Sequence, residues 1–99
     1  MIRCVDNTIY TGITTNIEKR MNQHFHKEKE CAKYTLYHTA QKLEGVWEAE
    51  NRSLASKLEY HIKRLSKEQK EQLLINNNLV ELLSHKLDIT QYHRIEKNY

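Results

Sequence analysis

An arginine flanked one helical turn on either side by polar side chains, and preceded by a tyrosine on a β-rich segment, can hold a phosphate. The stretch from Tyr10 to His24 has this arrangement. Asn16, Arg20 and His24 recur at i, i+4 and i+8, so on a helix they line one face. Ile17, Met21 and Phe25 form the neighbouring apolar stripe and anchor that face. A guanidinium donates two parallel hydrogen bonds to a phosphate, and these strengthen as charge develops during cleavage. Ordinary solvated helix positions are the alternative for Arg20 and His24. Glu59 lies one residue past Leu58, so it flanks the buried stripe of a later helix and can reach the sheet edge. Its alternative is a surface ion pair with Lys57 or Lys63, which stabilises little. Lys33 and Tyr34 pair a cation for a nucleic-acid backbone with a ring that can stack on a base, and Tyr37, His38 and Lys42 would extend that surface. A polar loop with Tyr34 packed inward fits them equally. The six histidines do not suggest zinc, because His24 and His26 face apart on a helix and the others are scattered. Trp47 is expected in the core.

The elements that must position these groups follow from local pattern. Ile2–Val5 is β-compatible, and Asp6-Asn7 tolerates the left-handed backbone of a tight hairpin turn. Thr8–Ile13 reads as the returning strand. Thr15 or Asn16 caps the first helix, which is expected to end near the charged run 27–30. A third strand is expected from Leu43 to Glu50. Asn51 or Ser53 then caps a helix striped by Leu54, Leu58, Ile62 and Leu65. Ser66 with Gln69 has capping-box spacing and opens another helix ending at Leu73–Ile75. Beyond Asn76–Asn78, the spacing of Leu79, Leu82, Leu83 and Leu87 suggests one more amphipathic helix, followed by a polar tail. The expectation is an α/β (α+β) domain: a small three-stranded antiparallel sheet flanked by helices, in the order β-β-α-β-α-α, plus a C-terminal helix.

The chain has 99 residues, a size suited to one domain. A mean hydropathy of −0.85 and no apolar run of membrane-spanning length point to a cytoplasmic protein without a secretory signal. Cys4 and Cys31 make no disulfide framework and read as reduced thiols. A net charge of +3 suits polyanions without requiring them.

Tyr-x-Gly on a strand, then Asn and Arg on the next helix with a His one turn later, resembles the GIY-YIG nuclease superfamily. It is most similar to small stand-alone bacterial members related to the N-terminal domain of the excision-repair endonuclease. The opening Ile2-Arg3-Cys4-Val5-Asp6-Asn7-Thr8-Ile9-Tyr10-Thr11-Gly12 carries the resemblance, with Asn7 where glycine is usual. Ala32-Lys33-Tyr34-Thr35, Glu59, Ile62-Lys63 and Leu65-Ser66 extend it, so that residues 1–75 form the nuclease-like domain and 76–99 a helical extension with a polar tail. The resemblance implies metal-dependent endonucleolytic hydrolysis of DNA, as in repair or recombination, with branched or damaged DNA as the substrate, and a monomeric protein. It implies Tyr10, Arg20, His24 and Glu59 as catalytic residues. Glu59 would be the metal ligand for Mg²⁺ or Mn²⁺, and Asn16, Lys33, Tyr34 and Lys63 would contact nucleic acid. A further family tyrosine falls immediately before Met1 in this alignment. Either the true start lies upstream or the general base is missing, and a catalytically inactive nucleic-acid-binding module of the same fold is the alternative. Reading the 53–75 helix pair as a helix-turn-helix is a third possibility, although Leu65-Ser66 lacks the usual turn glycine.

Overall fold

A computed structural model describes residues 1–25 and 38–96. The chain forms two compact units that divide after Glu44. The first contains β1 (Ile2–Cys4), β2 (Ile9–Tyr10), α1 (Ile17–Phe25) and β3 (Ala40–Leu43). Its sheet is antiparallel in the order β2-β1-β3, with Ile2 opposite Tyr10 on one side and opposite Leu43 on the other. The hairpin forms for the local reason expected. Asn7 adopts φ 69°, Cys4 accepts from the Asn7 amide, and the Asp6 carboxylate accepts from the backbone and hydroxyl of Thr8. Arg3 ties the hairpin down by donating to Asn7 and to the Glu44 carboxylate just past β3, 2.9 Å away. Met1, Ile2, Cys4, Ile9, Met21, Ala40 and Leu43 make the core of this unit.

The second unit contains β4 (Val46–Ala49), α2 (Arg52–Lys63), α3 (Lys67–Asn76), α4 (Leu79–Leu83), a 3-10 turn (Ile89–Gln91) and β5 (Tyr92–Ile95). Asn51 caps α2 by accepting from the Leu54 amide, and the Ser66–Gln69 capping box opens α3. Asn77 stops α3 in the left-handed conformation, φ 50°. Leu58, Ile62, Leu73, Leu74, Leu79, Leu83 and Tyr92 are buried here.

The architecture is the expected mixed one, a three-stranded antiparallel sheet with several helices, but four local expectations are corrected. The third strand of the first sheet is Ala40–Leu43, whereas Val46–Ala49 pairs in a separate two-stranded sheet. The β-rich run 43–50 looked continuous because Glu44-Gly45 interrupts it without a proline or an apolar break. The C-terminal tail is not merely polar: β5 pairs with β4, Trp47 opposite Arg94 and Ala49 opposite Tyr92. Trp47 is half-buried, its face covered by the Arg94 guanidinium at 5.1 Å and its Nε1 donating to Asn77 at 3.0 Å. The last helix ends at Leu83, short of Leu87.

Tyr92 joins this sheet to α2 by donating its hydroxyl to the Leu54 carbonyl at 2.7 Å. Tyr92→Phe keeps the ring and removes that bond, so chemical denaturation should show a loss of about 1 kcal/mol. Tyr92→Leu should cost more, because ring packing is lost as well.

Candidate active site

Within the first unit, Tyr10 leaves the end of β2 and α1 begins seven residues later, so strand end and helix meet over a short connection. Asn16 caps α1, its side-chain oxygen accepting from the Lys19 amide at 3.1 Å, and Thr14 braces the cap by accepting from the Asn16 amide. This fixes where Arg20 and His24 emerge.

The Tyr10 ring folds back over Gly12. A methyl group at Gly12 would come within 2.8 Å of the Tyr10 hydroxyl and 3.0 Å of its ring. Glycine is needed here for room, since its backbone is not in the left-handed region. The other edge of the tyrosine meets His24, with ring centroids 5.1 Å apart and planes inclined by 54°. Arg20 donates to the buried Gln23 side chain at 3.0 Å, which restrains the guanidinium. Tyr10, Gly12, Arg20, Met21, His24 and Leu43 line one small cleft open to solvent.

His24 differs from the solvated position its spacing allowed. It is 1% exposed, packed on the same side as Met21. Burial, then the nearby Arg20 charge and the amino terminus, push its pKa down from 6.5 to about 4. The ring is therefore neutral at neutral pH, able to donate through one nitrogen and accept through the other. Thr11 is also buried, and its hydroxyl has no hydrogen-bond partner among the described residues. Sequence reasoning missed Gln23 and Thr11. A glutamine between helix positions of known type carries no signal until its burial is seen.

Glu59 belongs to the second unit, on α2, with a side chain 25% exposed and 3.6 Å from Lys63. That pairing matches the ion-pair alternative raised by its spacing. Lys63 is exposed, and Asn16 spends its side-chain oxygen on the cap. Lys33, Tyr34 and Tyr37 lie outside the described residues. His38 contacts the Asp6 carboxylate, which helps hold that acid near pKa 2, after the larger effect of the Thr8 hydroxyl. Among the described residues no cluster of three or more His, Cys, Asp or Glu side chains could hold a metal, and no helix is long and apolar enough to cross a membrane.

A histidine whose folded pKa is depressed binds fewer protons than its unfolded counterpart. Its stabilising effect is complete above about pH 6.5 and is lost as pH falls toward 4, worth roughly 3 kcal/mol at most. Asp6 loses its contribution lower, between 3.8 and about 2, so the two windows separate. Denaturation midpoints measured across pH 4–7 should fall on acidification, and His24→Gln should flatten that slope. In NMR titrations the His24 ring should stay neutral through pH 5.

The comparisons with known proteins bear on this geometry. Residues 1–72 match the GIY-YIG catalytic domain. A UPF0213 protein of Yersinia enterocolitica is 40% identical over 90 residues, covering 89% of this chain and 91% of its own. The UPF0213 protein YhbQ of Salmonella typhimurium is 39% identical over 83 residues, 84% of this chain and 81% of that protein. A UPF0213 protein of Fusobacterium nucleatum is 39% identical over 74 residues, 75% and 72% of the respective chains. No solved structure matches. With a tyrosine, an arginine and a histidine gathered on one cleft inside the matched span, the chain belongs to the GIY-YIG catalytic domain family.

Proposed function

We propose that the protein is a metal-dependent endonuclease that hydrolyses DNA phosphodiester bonds, acting in the cytoplasm as a monomer on branched or damaged DNA in repair or recombination. The observation that carries this proposal is the cleft holding Tyr10, Arg20 and His24 within the part of the chain that matches a nuclease family. Residues 1–75 are taken as the nuclease domain and 76–99 as an extension whose strand β5 completes the second sheet.

Each side chain has a role suited to its surroundings. Arg20 grips the phosphate and stabilises the charge that develops on it, and the Gln23 bond keeps the guanidinium from swinging away. Tyr10, confined between Gly12 and His24, presents its hydroxyl to the phosphate or the attacking water. His24, being neutral, cannot act as a resting cation toward phosphate. It positions Tyr10 and can accept a proton from the water or from the tyrosine hydroxyl. Asn16, Lys33, Tyr34 and Lys63 are assigned to contacts along the nucleic acid.

Glu59 fits a single-carboxylate Mg²⁺ or Mn²⁺ site. Its carboxylate is partly exposed, and the Lys63 ammonium lies beyond hydrogen-bonding distance at 3.6 Å, so oxygen lone pairs are available. When bound, the ion would supply Lewis-acid polarisation of the phosphate and of the leaving oxygen.

Incubating the protein with plasmid and with flapped or branched DNA, with and without Mg²⁺ or Mn²⁺, tests the assignment. Cleavage should require the ion. Arg20→Ala should lower the rate by about 10²–10³-fold, as expected for a donor aimed at developing charge. Glu59→Gln, which keeps the shape and removes the charge, should abolish dependence on the metal along with activity. Binding without cleavage under every metal condition would instead identify a catalytically inactive nucleic-acid-binding module.

A further inference from the structure

The solvent face of α2 carries a feature that phosphate hydrolysis does not use. Tyr60 is 56% exposed, an unusual position for a large ring in so small a domain. The Arg64 guanidinium lies over it, 5.3 Å from the ring centroid, and the His61 ring meets its edge at 5.1 Å. Ser53, Lys57, Tyr60 and Arg64 are all exposed and follow one another at helical spacings of four, three and four. They therefore form one column along α2, with Glu59 on a different side of the helix.

Charge identifies what such a column suits. From Arg52 to Arg64 there are four cations, Arg52, Lys57, Lys63 and Arg64, against the single carboxylate of Glu59, which already faces Lys63. A protein partner with an apolar anchor would find no apolar rim here, since Tyr60 is bordered by Lys57 and Arg64. A polyanion that also offers a flat ring matches both features. A duplex keeps its bases stacked inside and presents no ring face to Tyr60. An unpaired nucleotide presents one, with phosphates on either side for the cations.

We infer that Tyr60 and Arg64 form a stacking platform for an unpaired base of single-stranded DNA, with Lys57 contacting the adjoining phosphate. The inference rests on the proposed action on DNA and narrows the substrate to DNA containing unpaired nucleotides.

Fluorescence anisotropy of the full chain in EDTA, where cleavage is suppressed, tests it. The probes are a labelled oligothymidylate of about 15 nucleotides, in the size range of single-strand sites, a blunt duplex and an oligouridylate of the same length. Wild type should prefer the oligothymidylate over the duplex. Tyr60→Ala should weaken oligothymidylate binding about fivefold or more, the loss expected for one stacked base, and leave duplex binding unchanged. Tyr60→Phe, which keeps the ring face, should bind as wild type does, and Arg64→Ala should weaken binding and reduce its salt dependence. The platform is ruled out if Tyr60→Ala binds the oligothymidylate normally, if it loses both DNA forms equally, or if wild type binds neither. Tighter, Tyr60-dependent binding of oligouridylate would overturn the assignment to DNA. Cleavage by the Arg20 and Glu59 variants is read separately with metal present, so failure of the platform and failure of the nuclease assignment give different results.

Discussion

Packing of the Tyr10 ring between Gly12 and His24 is the constraint on which the cleft depends. The ring lies so close to Gly12 that a Cβ there would have to displace it, and its other side rests against an imidazole shut away from water. One contact thus couples the end of β2 to α1. It also removes His24 from solvent, which keeps the ring neutral at physiological pH. Arg20, one turn earlier and less buried, stays at the cleft surface, with Gln23 as its brace.

The outer scaffold of this unit is held differently. Arg3 spans from the hairpin turn to Glu44, so a partly buried ion pair links both ends of the three-stranded sheet. The second unit relies on layered contacts around a two-stranded sheet. Arg94 covers the face of Trp47, Asn77 receives its ring N–H, and Tyr92 bonds to α2. Asn77 has two tasks there, terminating α3 in a left-handed conformation and accepting from the indole. Short strands of four residues are weak by themselves, and these side-chain contacts add what the brief backbone ladder lacks.

The roles proposed for the cleft and for the α2 face demand opposite solvent conditions. In the proposed reaction an arginine on phosphate and an imidazole accepting a proton work best in a restricted cleft, where electrostatic interactions are less screened. A base-stacking ring must stand in the open. Tyr10 and Tyr60 illustrate the contrast: one is confined by a glycine and a histidine, the other rises from α2 between cations.

What the sequence alone determined were the elements governed by neighbours a few residues apart. Asn7 could take the hairpin's positive φ, Asn16 and Asn51 could cap helices, and Ser66 with Gln69 could close a capping box, because each depends on local geometry. The Tyr-x-Gly, Asn, Arg and His pattern was legible for the same reason. Tertiary structure decided what long-range contacts control: that Ala40–Leu43 and not Val46–Ala49 completes the first sheet, that the tail returns as β5, and that Trp47 is only half-buried. It also decided that His24 faces inward. Helical spacing places a side chain on a face, but only the packing of that face against other elements sets its exposure to water, and with it the charge the side chain carries.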